Sequence, residues 1–336
     1  MDLAWYALLG LFFAGYLVLA GYDYGVGLLL ARGGGGAARR REALTALGPF
    51  FLGNEVWLVA AVGILFGAFP MLEGELLSGC YPAVVGALVG VILVTVGVQL
   101  RSRPDDERIR ARWDRVVMVG SALASLGWGV VLAALLQGVP RQADGHVAGV
   151  SHLATPFAAA VGLAMVALVA VHGATFLALR LPAQPAAVVG RTARRLVPVA
   201  LTAVALATVV GLLSARVRDA VQRPAVAVLL PVLLVAALLA ARAALARRRP
   251  GWALAATGAA LALPVVLVGA ALWPYVLVST TDPGASLTVA DAAASAPTLR
   301  LLGWVALPLL PALLGFQAMC WWVFRGRTDG RAPVYW

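Results

Sequence analysis

Nine runs of apolar residues, each long enough for a helix across a bilayer, alternate with short polar connections along the whole chain. A helix of about twenty residues spans the hydrocarbon layer. The runs therefore predict spans at about 3–31, 45–70, 77–100, 116–136, 153–179, 196–215, 225–246, 252–275 and 299–324. An all-α polytopic membrane bundle follows, one membrane domain over residues 1–336, with no segment polar enough to fold as a separate soluble unit. The first run starts at Leu3 without a basic leader or a small-residue cleavage pattern, so it reads as a retained span. Gly33 to Gly36 and residues 181–187 read as flexible connections. The longest polar stretch, 276–298, holds Ser279, Thr280, Thr281, Asp282, Ser286, Thr288 and Asp291, and is expected as a short helix or cap on the outer face.

Composition sharpens this picture. With 62% apolar and 12% charged residues in 336 positions, the chain has more apolar surface than a soluble core can bury. A net charge of +11 in a soluble protein would suggest nucleic acid. Here all 26 basic residues are arginines, as a GC-rich genome would produce, and they fall in short loops, so no nucleic-acid partner is expected. If the N-terminus faces outward, 21 of the 26 lie in inward segments and only Arg141, Arg216, Arg218, Arg223 and Arg300 face out. The positive-inside rule thus predicts N-out, C-in. Trp5, Trp273, Trp304, Trp321, Trp322 and Trp336 lie mainly near span ends, as indole prefers, with Trp57 as the exception inside its span. Cys80 and Cys320 sit in or beside apolar runs and support neither a disulfide framework nor a thiolate metal site.

Two acids stand out inside the apolar runs, where a charge costs roughly 2.5–3.5 kcal/mol on insertion scales. Asp23 lies among Gly21, Gly25 and Gly27, where glycines permit close helix approach. It faces either a neighbouring helix or a small water cavity or, near the inner end of the span, the membrane–water boundary. Glu55 follows Gly48, Pro49, Gly53 and Asn54 and precedes Trp57; it can relay a proton, pair with a partner's arginine, or form a structural hydrogen bond. Haem iron needs His, Met or Cys as axial ligand, and only His172 lies within a span, more readily read as a packing residue. Met118, Met165 and Met319 read as core. The mixed-charge run from Arg101 to Arg115 reads as a solvated loop. No Walker motif, dinucleotide fingerprint or nucleophile triad appears, so no catalytic residue and no metal site is expected in this chain alone.

These residues resemble subunit II of the cytochrome bd-type quinol oxidases. Gly21-Tyr22-Asp23-Tyr24-Gly25-Val26-Gly27 resembles the family's first-helix signature, and Gly48-Pro49 through Asn54-Glu55-Val56-Trp57-Leu58 to Pro70 its second-helix block. Further matches follow in order: Leu136-Gln137-Gly138-Val139-Pro140, Gly173-Ala174-Thr175-Phe176, Trp273-Pro274-Tyr275, Ala285-Ser286-Leu287-Thr288 with Asp291, and Cys320-Trp321-Trp322. The resemblance implies a bundle packed against a similar-looking subunit I, in a prokaryotic cytoplasmic membrane. That partner would bind two b-type haems and one d-type haem and oxidise quinol while oxygen is reduced to water. This chain would ligate no haem itself, and would scaffold the partner, carry protons or hold a structural quinone; lipid and small accessory subunits are further partners to expect.

The pattern departs from the family at two places. Leu52 stands where an aspartate is usual, and Glu55, one helical turn on, is the group that would take over its role. Val98-Gln99-Leu100-Arg101 stands where an acid before an aromatic is common. A proton route through Asp23 at its inner entrance, Asn54 and Glu55 is therefore an expectation beside two rivals, a proton-coupled secondary transporter and a pure assembly scaffold.

Overall fold

The computed structural model describes residues 1–30 and 36–328. Gly33, Gly34 and Gly35 of the expected connection, together with Arg32, Arg331 and Trp336, lie outside the described residues. Twelve α-helices run in order: α1 (Asp2–Leu30), α2 (Gly36–Ala68), α3 (Pro70–Gly79), α4 (Tyr81–Leu100), α5 (Glu107–Gln137), α6 (Pro156–Arg180), α7 (Ala183–Leu213), α8 (Ala215–Ala220), α9 (Pro224–Ala246), α10 (Pro250–Ala271), α11 (Val289–Ala292) and α12 (Ala296–Val323). Among the described residues, nine of these are long and apolar enough to cross a membrane.

Helix ends differ from the apolar runs because a backbone ladder does not stop where hydrocarbon stops. Helices α2, α5 and α7 begin well before the predicted 45, 116 and 196, carrying their arginines on helical turns beyond the apolar stretch. The all-α expectation holds with one addition. Residues 276–298 build an antiparallel hairpin of β1 (Tyr275–Leu277) and β2 (Leu287–Thr288), followed by the single turn α11. Thr288 and Asp291 fasten that turn by a reciprocal capping box.

Two four-helix groups form the bundle. The pairs α1–α2, α4–α5 and α1–α5 make one, α6, α7, α9 and α10 the other, and α1 and α5 join them by packing on α6. Between membrane helices little hydrophobic driving force exists, so close van der Waals packing at small residues holds them together. A Cβ at Gly90 of α4 would lie 2.6 Å from the Gly120 carbonyl oxygen of α5, and one at Gly127 2.7 Å from that of Ala83. The last helix, α12, stands outside both groups and packs on α2. Phe316 and Leu302 rest there on Gly53 and Gly67, at 3.2 and 3.1 Å from where a Cβ would be. This one-sided packing corrects one reading of the methionines: Met165 is buried, but Met319 of α12 is half exposed.

At the end of the bundle holding Leu100 and Glu107, most of the mixed-charge run is solvated as expected, but Arg101 and Asp114 turn inward. Asp114 is 2% exposed and takes the Arg101 guanidinium in an ion pair, with Arg40 Nε 3.1 Å from its other oxygen. Three helices, α2, α4 and α5, are fastened there, and removing one partner would strand a buried charge. The opposite end, called here the cap, is built by the 138–155 loop, α8 and the hairpin. Arg141 sits at its centre, 3.3 Å from Glu75 and donating to the Ala285 carbonyl.

Candidate functional site

Around Asp23 the expected site assembles from α1, α2 and α12. The carboxyl is 2% exposed, which decides for a helix-facing position over a membrane boundary. Asn54 Nδ2 donates to Asp23 Oδ2 at 2.9 Å, and Tyr22 Oη donates to Asn54 Oδ1 at 3.0 Å. Gln317 of α12 reaches the same Asn54 oxygen at 3.4 Å. Asp23 Oδ1 is buried without a hydrogen-bond partner among the described residues, so one oxygen of the carboxyl is left unengaged there.

Glycines let α1 lie this deep. A Cβ at Gly25 would fall on the Val169 carbonyl oxygen and 2.6 Å from the Gly173 nitrogen, and one at Gly173 would fall on the Gly25 backbone. Gly27 meets Ser121 of α5 in the same way, and Gly21 has Leu261 of α10 at 2.9 Å. Helices α1 and α6 thus cross with backbone against backbone. Thr175, fully buried beside this crossing, bonds back to the Val171 carbonyl at 2.8 Å. Toward Arg180 the network is closed by rings: Tyr22 stacks on Phe176 at 4.3 Å, and Phe50 lies 4.8 Å from Trp321 and under the Arg180 guanidinium.

Glu55 points elsewhere. It is half-buried, accepts a hydrogen bond from Thr95 of α4, and shares its side of α2 with exposed Leu52, Val56 and Val59. Asn54 and Glu55 are neighbours in sequence, but about 100° of helical turn separates their side chains, and only Asn54 reaches Asp23. Glu55 is still near enough to act electrostatically on Asp23 and on Tyr16. Tyr16 belongs to a second polar chain, in which Trp128 Nε1 donates to Tyr16 Oη at 3.1 Å and Tyr16 bonds to Tyr24. Sequence reasoning missed this chain and Gln317. The spacing of eight between Tyr16 and Tyr24 places them on one face, and a lone Gln within the apolar run after Pro311 was the available signal for the other.

The remaining expected residues are structural in place. Gly48 and Pro49 lie half-buried within α2. Trp57 is buried against Gly15 and Phe12. Gln137 donates to the His152 carbonyl at 2.7 Å and accepts from Thr155 at 2.9 Å, and Ser286 Oγ accepts from the Ser279 nitrogen at 3.0 Å. His172 does not fit a haem: Nε2 lies 2.9 Å from the Val18 carbonyl, to which it donates, and Nδ1 is bonded to Thr257 Oγ1 at 2.7 Å. Among the described residues no three His, Cys, Asp or Glu side chains converge as a metal group would require. A cavity of about 350 Å³ opens among α5, α6, α7, α9 and α10, with only Thr208 and Arg218 bringing polar side chains to its wall.

Nine candidate spans among the described residues, with a carboxyl buried between close-packed glycine helices, define a multi-pass membrane protein with a buried intramembrane acid. The model of the cytochrome bd terminal oxidase subunit II family matches residues 1–324, and the chain belongs to that family. It is 34% identical over 181 residues to cytochrome bd-I ubiquinol oxidase subunit 2 of Escherichia coli K12, covering 52% of this chain and 48% of that protein. The match to cytochrome bd ubiquinol oxidase subunit 2 of Bacillus subtilis 168 is 32% over 177 residues, covering 52% of each. These alignments span about half the length of the curated relatives, 48% and 52%. The fold is that of a chain of the bd oxidase from Geobacillus thermodenitrificans, with a TM-score of 0.73 at 20% identity over 96% of this chain and 98% of that one.

Proposed function

We propose that this chain is the subunit of a membrane quinol:oxygen oxidoreductase complex that ligates no haem, and that it supports a haem-bearing subunit I and gives protons a route toward it. The observation that carries the reading is the position of Glu55. A carboxyl half-exposed among Leu52, Val56 and Val59, well inside an apolar helix, is costly against hydrocarbon. A protein surface that supplies polar partners or water removes that cost. The side of α2 that bears Glu55, with the neighbouring faces of α4 and α12, is therefore the surface for subunit I, and lipid covers the other apolar faces.

On this reading Asp23, Asn54 and Tyr22 hold a buried polar station on one side of α2, and Glu55 holds a second at the partner surface. The partner's b- and d-type haems, when bound, supply electron transfer from quinol to oxygen. This chain holds and passes protons at the Asp23 and Glu55 carboxyls. For a structural quinone, the apolar cavity among α5, α6, α7, α9 and α10 offers a lining suited to an isoprenoid tail. The family match favours this reading over a transporter.

Affinity purification through this chain should bring a haem-bearing partner with a red-green absorption spectrum. His172→Ala should leave every haem band in place, because both ring nitrogens are already engaged inside the chain. A preparation without haem, or the loss of one band in the variant, contradicts the assignment.

The N-out, C-in orientation rests on the arginine distribution. A reporter active only in the cytoplasm should be active when fused after Trp336 and silent when fused after Gln137. The reverse pattern would exchange the two faces and put the cap inside the cell.

A further inference from the structure

The cap encloses a cavity of about 680 Å³ between the 140–152 loop, α8 and the β1–β2 hairpin, and the proton route makes no use of it. Its wall carries His152, Arg216, Asp219, Tyr275 and Thr280. His152 is 5% exposed, yet neither ring nitrogen has a hydrogen-bond partner of normal geometry. Buried polar atoms are nearly always paired, and this imidazole has only a weak approach from the Gly79 backbone, so at least one of its nitrogens marks a contact still to be made. Its backbone is held in place by the buried Gln137, itself anchored by Thr155.

Two charges share the wall without neutralising each other. Arg216 and Asp219 are exposed, stand three residues apart on α8, and form no ion pair with one another or with any other described residue. Arg216 is close enough that its charge, after burial itself, holds the His152 imidazole below its ordinary titration range, against a smaller pull from the Gly79 backbone. The imidazole is therefore neutral near pH 7 and presents one N–H donor and one bare nitrogen. Donors from Arg216, His152, Tyr275 and Thr280 suit the oxygens of a phosphate or carboxylate. Asp219 disfavours a ligand of net negative charge and suits an ammonium.

We propose that the cap cavity binds a zwitterion that carries a phosphate and a primary ammonium, the chemistry of a phosphoethanolamine group. The phosphate lies against Arg216 and His152, and the ammonium against Asp219. The cap begins where α7, α9 and α10 end, so an ethanolamine phospholipid at the membrane surface and a free phosphoethanolamine ester are the two sources of that chemistry.

Titration calorimetry on the intact detergent-purified complex distinguishes them, using glycerophosphoethanolamine and dihexanoylphosphatidylethanolamine as probes. Binding of the lipid alone assigns the site to the membrane, and equal binding of both assigns it to a free ester. For whichever probe binds, Arg216→Ala should weaken affinity roughly tenfold or more, the scale of a hydrogen bond to a charged group. Asp219→Asn should weaken it several-fold, and Arg300→Ala, an exposed arginine of α12 that lines neither cavity, should change it by no more than about twofold. Both pocket side chains are exposed and unpaired, so the variants should assemble normally, which the haem spectrum checks. Three results overturn the proposal: neither probe binds, binding survives Arg216→Ala, or dihexanoylphosphatidylglycerol, which lacks the ammonium, binds as well as the ethanolamine lipid.

Discussion

Glu55→Ala should slow oxygen consumption by the purified complex by about tenfold to a hundredfold, toward the lower end of what a positioned proton-transfer group contributes. Haem content and assembly should be unchanged, because Glu55 is only half-buried and its side chain makes one hydrogen bond, from Thr95, among the described residues. Protons consumed in the membrane interior must cross a medium where an isolated charge is costly, and a carboxyl that takes and releases them shortens each crossing. Glu55→Asp keeps the acid but withdraws it from Thr95 and should retain part of the rate. Full activity in the alanine variant would make Glu55 a structural residue and leave proton delivery to the partner.

The second large effect belongs to the glycine crossing. Gly173→Val should abolish accumulation of the assembled complex, because its new Cβ would overlap the Gly25 backbone, which has no rotamer to change. Adding methylenes to an ordinary core costs about 1–3 kcal/mol. Here α1 and α6 must separate along their seam and lose its dispersion contacts, so the cost should reach roughly 4 kcal/mol or more, the exceptional end for one substitution. Gly251→Ala, in the first turn of α10 and away from the proposed partner surface, is the control, since nothing lies within 4 Å of the added Cβ, and its yield of complex should equal that of the unaltered chain. Normal assembly of Gly173→Val would show that the two helices do not meet at these glycines.

The spans were legible because hydrocarbon selects composition directly, and each apolar run became a helix. What the runs could not register is backbone that continues past the hydrocarbon, which is why the starts of α2, α5 and α7 lie outside the predicted limits. Asp23 and Glu55 were conspicuous as acids in apolar surroundings. Asn54 was placed in the same route, but the bond it makes to Asp23, 31 residues away, was not legible, nor was Thr95, 40 from Glu55, because local patterning says nothing about which distant helix will be adjacent. The same limit hid the Arg101–Asp114–Arg40 cluster: in sequence it is one more mixed-charge loop, and only the approach of α2 to the ends of α4 and α5 buries it. The aspartate replaced by Leu52 was noticed as a missing group, and the exposure of Leu52 on the outer side of α2 explains why an apolar residue is tolerated there.

On the proposed assembly with subunit I, the position of α12 would bear on how cells keep the two chains in equal number. It leans mainly on α2, with Trp321 alone reaching the rings of Tyr22 and Phe176, and leaves Leu301, Trp304, Leu307 and Leu309 uncovered by the other described residues. An orphan copy would present this loosely held helix, with its two internal prolines, to the proteases that survey the bilayer for unassembled chains. Docking of subunit I would conceal that degradation signal, so the surplus of one chain over the other would be cleared by the same contact that completes the enzyme.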